Sequence, residues 1–95
     1  MFVLRETRKI KFGQVRDYLA QYAKIEARYQ ALGMPSAKHY QIMGSHAIVT
    51  DREWESLAAM EEASTKLSSD PELNALRPAL FELVEDGHWE FLWPV

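Results

Sequence analysis

The stretch that decides the fold is Ala37-Lys-His-Tyr-Gln-Ile-Met-Gly-Ser-His-Ala-Ile-Val-Thr50. Residues 37–43 and residues 46–50 are predicted to form two strands. Gly44-Ser45, which lies between them, is a turn signal, and the stretch as a whole therefore predicts a β-hairpin.

On the N-terminal side of the hairpin, a strand followed by a long helix is predicted. Apolar residues recur at three- and four-residue steps from Val15 to Leu32, the pattern of an amphipathic helix of about five turns. Gly33 is expected to end that helix. Residues 2–10 form the first strand, whose faces carry alternate residues. These are Val3, Arg5, Thr7 and Lys9 on one face, and Phe2, Leu4, Glu6 and Arg8 on the other.

On the C-terminal side, a split helix and a last strand are predicted. Asp51 is expected to cap the next helix, whose apolar stripe begins at Trp54. Asp70-Pro71 fits the cap and first position of a second helical segment. Asp86-Gly87 ends that segment, and residues 88–95 form the final strand.

The resulting order, βαββαβ with a split second helix, predicts an α+β fold of the ferredoxin-like type. In this fold both helices cover one face of a four-stranded antiparallel sheet. The 95 residues fit a single domain, residues 1–95. The uncovered face would expose an apolar patch too large for a monomer, so we expect a homodimer that pairs two sheets back to back. Its expected apolar members are Trp89, Phe91, Trp93, Tyr40, Ile42 and Ile48.

Composition excludes several kinds of site. The chain has no cysteine, which excludes disulfides, thiolate catalysis and cysteine-based metal centres. A net charge of −3 disfavours a nucleic-acid partner, and no apolar run reaches the roughly 18 residues of a membrane helix. Each of the four glycines is predicted to lie at a turn, and no glycine-rich phosphate-binding loop is present. We expect a cytoplasmic protein without a membrane or nucleic-acid partner.

Four segments together resemble the dimeric α/β-barrel superfamily, and within it the NIPSNAP-like and antibiotic-biosynthesis-monooxygenase-like groups. They are Lys11-Phe12-Gly13 before the long helix, the Gly44-Ser45 hairpin, Val49–Leu57, and Ser69-Asp70-Pro71-Glu72 before the last segment. The resemblance covers the whole chain. It implies the ferredoxin-like fold, a homodimer, and either a cofactor-free monooxygenase or a protein without a known role. Haem-degrading relatives carry an Asn on the first strand, where this chain has Glu6 and Thr7. This difference disfavours haem degradation.

Four residues are the candidate catalytic groups: His39, His88, Tyr40 and Arg5. Histidine changes protonation near neutral pH, and an arginine within a strand can orient an anionic or carbonyl-bearing ligand. A tight hairpin would place His39 near Thr50. Structural roles stay open for all four, including a cross-strand ion pair for Arg5. No histidine spacing of a metal motif is present, and no metal or cofactor is expected.

We therefore expect a small hydrophobic or aromatic molecule to bind between sheet and helices, with a cofactor-independent monooxygenase-like reaction as the enzymatic hypothesis. Two alternatives remain. One is a NIPSNAP-like ligand-binding protein without catalysis, and the other is an interaction module that uses the sheet only for dimerisation.

Overall fold

The computed structural model describes all 95 residues, which form four strands and three helices. In chain order these are β1 (Phe2–Ile10), α1 (Val15–Ala31), β2 (Ala37–Gln41), β3 (Ala47–Trp54), α2 (Leu57–Ser68), α3 (Pro71–Phe81) and β4 (Val84–Leu92). The strands pair antiparallel in the order β2-β3-β1-β4. The predicted ferredoxin-like α+β fold is confirmed. None of the helices has both the length and the apolar character that crossing a membrane requires.

All three helices pack on one face of the sheet and bury two groups of apolar side chains. The larger group joins α1 and α3 to the sheet and contains Ile10, Tyr18, Tyr22, Ile25, Ile48, Leu73 and Leu80. The smaller group lies under α2 and contains Phe2, Met34, Trp54 and Ala63. The opposite side of the sheet carries no helix, and we call it the bare face.

The hairpin and two of the predicted helix boundaries are confirmed. His39 lies opposite Thr50, as a tight turn at Gly44-Ser45 requires. Gly33 follows the last residues of α1 with a φ of 81°, a left-handed conformation that favours glycine at a helix end. At the start of α3, the Asp70 carboxylate accepts a hydrogen bond from the Leu73 N–H at 2.9 Å.

The prediction that Asp51 caps a helix is wrong. Strand β3 continues four residues beyond Thr50, and Asp51 lies within it, directly opposite Arg5. The cap of α2 is Ser56, whose hydroxyl accepts from the Ala59 N–H at 3.1 Å. The physical reason is the length of β1, whose first residues need a hydrogen-bonded partner strand.

Strand β4 also differs from its prediction. Asp86-Gly87 does not end a helix but lies inside β4, next to a register shift at Lys9 and Ile10 that marks a β-bulge. A Cβ on Gly87 would lie 3.1 Å from the Thr7 carbonyl oxygen, so glycine permits the close approach of β1.

Two aromatic residues of β4 and Trp93, which follows the strand, lie on the helix side of the sheet and not on the bare face. Trp89 is paired with Glu6 and Phe91 with Leu4, so both share the face that those β1 residues occupy. The ring of Trp93 packs 4.7 Å from the ring of Phe2. Ile48 is buried on the same side. Of the six predicted apolar members of the bare face, only Tyr40 and Ile42 share the side of the sheet that lacks helices.

Candidate functional site

A cavity of about 440 Å³ lies between the sheet and the three helices. Ten of its sixteen lining residues are hydrophobic, which is typical of sites for small organic molecules. Its apolar and aromatic wall includes Leu4, Tyr22, Tyr29, Met34, Trp54, Met60, Leu67, Phe81, Trp89 and Phe91. The exposed liners Phe81, Trp89 and Phe91 mark the mouth, and the buried Trp54, Tyr22 and Met34 mark the inner end.

Glu6 and Arg8 form a polar cluster in the cavity wall. They are two residues apart on β1 and therefore point to the same face, where their side chains form an ion pair at 2.9 Å. Glu6 Oε2 also accepts from the Trp89 indole N–H at 3.2 Å, and Arg8 donates to the Tyr18 hydroxyl at 3.2 Å. The other carboxylate oxygen, Glu6 Oε1, is buried and has no hydrogen-bond partner. Such an acceptor is costly unless a bound group satisfies it.

A second ion pair supports the inner end. The buried guanidinium of Arg52 donates to both carboxylate oxygens of Glu26, at 3.0 and 2.7 Å, and to the Pro35 carbonyl. It also lies over the Tyr29 ring, 5.0 Å from the centroid. The neighbouring Trp54 indole N–H is buried without a hydrogen-bond partner. The lining residues Glu6 and Trp54 thus each hold one buried polar atom without a protein partner.

His39 lies on the helix side of β2 but does not line the cavity. Its Nδ1 is 2.8 Å from the Thr50 hydroxyl, and its ring packs edge-on against Tyr22 with centroids 4.8 Å apart. Burial lowers the pKa of His39, an effect that the nearby Glu26 opposes and Arg52 reinforces. These contacts hold the ring in place beside the cavity.

Arg5, Tyr40 and His88 lie on the bare face, away from the cavity. Arg5 donates two hydrogen bonds to Asp51, each 2.8 Å long, and these bonds lower the pKa of that carboxyl. The cross-strand ion pair considered for Arg5 is therefore present. Tyr40 is exposed, and His88 lies 3.5 Å from the exposed Glu90. The structure does not bring the four candidate residues together.

The candidate residues predicted from the sequence did not include the two charged residues on the helix-facing side of β1. Glu6 and Arg8 lie on the strand face that also carries Phe2 and Leu4, and a charged pair among inward-facing residues was the signal for a cavity wall. The sequence prediction named Arg5, which also lies in the middle of β1, but strand alternation places it on the bare face.

Solved structures share this fold. An uncharacterized NIPSNAP domain protein from Burkholderia xenovorans superposes with a TM-score of 0.88 at 19% identity, over 100% of this chain and 95% of that one. A NIPSNAP family protein of unknown function from Agrobacterium tumefaciens gives 0.82 at 25% identity, over 99% and 87%. An antibiotic biosynthesis monooxygenase gives 0.76 at 15% identity, over 100% and 99%. No protein-family model and no curated protein matches the chain.

These superpositions confirm the predicted resemblance at the level of the fold. They span at least 99% of this chain and at least 87% of the other chain in each comparison. The chain thus has the architecture common to NIPSNAP domain proteins and the antibiotic biosynthesis monooxygenase.

Proposed function

We propose that the protein binds a small hydrophobic or aromatic molecule in the cavity between its sheet and its helices. The observation that carries the proposal is a predominantly apolar cavity of about 440 Å³ whose wall contains the polar side chains of Glu6, Arg8 and Arg52. A ligand that fills the cavity removes the apolar wall from water, and polar groups on it form hydrogen bonds with those side chains.

Thermal unfolding with a panel of aromatic and polyketide-like compounds tests this proposal. A ligand at 100 times its Kd adds about 2.7 kcal/mol, which raises the Tm of a domain this small by roughly 10–20 °C. Ser64 lines the cavity and the adjacent Thr65 does not. Ser64→Trp should abolish the shift by filling the space, and Thr65→Trp should preserve it. A panel without any shift, or an equal shift in both variants, contradicts binding in this cavity.

We further propose that the cavity supports a cofactor-independent oxygenation in which Glu6 accepts a proton from the substrate. A fold shared with an antibiotic biosynthesis monooxygenase favours this chemistry. Glu6 is the best placed of the possible proton acceptors because it lines the cavity, whereas His39, His88, Tyr40 and Arg5 do not. A catalytic role for those four residues stays a prediction. In the proposed reaction, dioxygen converts an activated CH₂ unit of the substrate to a carbonyl, with one oxygen atom entering the product and the other leaving as water.

Oxygen uptake in the presence of a phenolic polycycle that binds measures this activity. Glu6→Gln keeps the shape of the side chain but cannot accept the proton, so uptake should fall by about 100-fold or more. Glu53→Gln, on an exposed position of β3 outside the cavity, should leave it unchanged. If the unmodified protein binds the polycycles but consumes no oxygen, the oxygenation proposal is contradicted and the ligand-binding proposal stands.

We also propose that two copies pair through their bare faces to form a homodimer. The proposal is supported by apolar side chains spread over that face, opposite the helices. They are Val3, Val49, Leu92, Tyr40 and Ile42. Pairing two such faces would bury them, while the Arg5–Asp51 pair would lie within the interface.

Sedimentation at micromolar concentration should give twice the chain mass of 11.0 kDa. Val49→Lys places a charge at the middle of the bare face and should yield monomers, whereas Ala27→Lys, on the exposed side of α1, should not. A monomeric unmodified protein contradicts the proposal. A dimer that binds nothing in the cavity would favour the interaction-module alternative.

A further inference from the structure

We propose that the ligand of the cavity is an organic anion, whose apolar body lies inside and whose acidic group meets Arg77 at the mouth. The inference rests on the ligand-binding function proposed above and names the chemical class of the ligand.

The charges of the cavity wall do not balance. Three guanidinium groups line the cavity, and Glu6 is the one carboxylate among the lining residues. Glu6 pairs with Arg8 at 2.9 Å, and Glu26, just outside, pairs with Arg52 at 2.7 Å. The third guanidinium, that of Arg77, forms no ion pair and donates no hydrogen bond, and the Asp70 carboxylate on which its charge acts is already paired with Arg28. One positive charge of the wall is therefore left without a partner.

Arg77 lies at the mouth of the cavity. It is half-buried on α3, one turn before the exposed Phe81, and residues four positions apart share a helix face. The Phe81 ring in turn contacts the guanidinium of Arg8, with the charge 5.3 Å from the centroid. The mouth thus combines an aromatic surface with two cationic groups, and Glu6 balances only one of them.

An anionic ligand is the occupant that fits this arrangement. Other arginines of this chain that lie partly buried have carboxylate partners, as Arg28 has Asp70 at 2.6 Å and Arg5 has Asp51 at 2.8 Å. A carboxylate bound at Arg77 would form the charge-assisted, bidentate hydrogen bonds that guanidinium groups favour. A neutral ligand would fill the apolar part but leave that guanidinium unpaired, and a cationic one would be repelled.

Calorimetric titration with 2-naphthoate and its uncharged amide, 2-naphthamide, tests the inference, because the two probes have nearly the same size. The unmodified protein should bind the carboxylate at least about tenfold more tightly than the amide. Arg77→Gln should erase this preference by weakening the carboxylate alone, and Arg77→Lys should keep part of it. Arg16→Gln removes the same charge from the exposed surface of α1 and should have no effect.

Each outcome separates the anion inference from the binding proposal. Equal affinity of the unmodified protein for both probes overturns the inference and leaves ligand binding intact. A preference for the carboxylate that survives in Arg77→Gln overturns the role of Arg77. If neither probe binds, the inference fails for aromatic acids of this size. Thermal unfolding with the panel of aromatic and polyketide-like compounds then tests the binding proposal separately.

Discussion

Removing the Glu26 carboxylate should destabilise the protein strongly, because Glu26 neutralises a charge that the fold has taken out of water. The Arg52 side chain is 9% exposed and donates to both oxygens of Glu26. Glu26→Ala leaves this guanidinium with uncharged partners alone, among them the Pro35 carbonyl and the Tyr29 ring. Stranding one member of a buried pair costs about 3–5 kcal/mol, and the 20% exposure of Glu26 places the expected loss near 3 kcal/mol.

The reverse change should cost much less. Arg52→Met removes the buried charge and fills most of the same volume, while Glu26 can turn toward solvent, so we expect a loss of about 1 kcal/mol. The double variant should therefore be more stable than Glu26→Ala alone, which is the signature of a coupled pair. Glu62→Gln, an exposed acidic position on α2, serves as the control and should stay within about 0.5 kcal/mol.

Urea unfolding measures the free energy of unfolding of the unmodified protein and of each variant. A loss of 3 kcal/mol corresponds to a fall in Tm of about 12–24 °C for a domain this small. Burial raises the pKa of Glu26, but hydrogen bonds and the charge of Arg52 outweigh it, so the pKa is lowered overall. The stabilisation is therefore present above the unfolded pKa of about 4.3 and is lost as the pH falls below it. Arg52→Met costing more than Glu26→Ala would refute the reasoning.

Three further outcomes are expected. Gly87→Ala brings a methyl group to 3.1 Å from the Thr7 carbonyl oxygen. Urea unfolding should show a free energy of unfolding lower by about 1 kcal/mol. An unchanged value would contradict the close approach of β1 to Gly87. Ser56→Ala removes the cap of α2 and should cost about 1 kcal/mol by the same measurement, whereas Ser69→Ala, at the other end of that helix, should cost less. Hydrogen bonds from Arg28 and from the Leu73 N–H lower the pKa of Asp70 to about 2, so its stabilisation should be complete above pH of about 4 and vanish as the pH falls to about 2. Circular dichroism during acid titration should show a larger loss of stability in the unmodified protein than in Asp70→Asn, where only the other ion-paired carboxylates titrate.

The order of elements was predictable because local signals agreed with one another. Gly44-Ser45 set the register of the hairpin, Gly33 ended α1, and Asp70-Pro71 began α3. Each of these signals acts through backbone geometry or capping within a few residues, so no tertiary information was needed.

The errors arose where tertiary pairing overrode a local signal. Asp51 followed by a charged stretch resembles a helix start, yet pairing with β1 and the ion pair with Arg5 keep it in β3. The side of the sheet that receives Trp89 depends on its register with Glu6, which alternation along a single strand cannot provide. The cavity and its Glu6–Arg8 pair follow from that same register, which is why the cavity is lined by residues other than His39, His88, Tyr40 and Arg5.

The positions of the three tryptophans make the protein its own optical reporter. Trp54 and Trp89 line the cavity from the strands on either side of β1, whereas Trp93 packs on Phe2 outside the lining. A molecule that enters the cavity must change the polarity around two indoles and leave the third nearly unaltered. Intrinsic fluorescence can therefore follow occupancy without any label, with Trp93 as an internal reference.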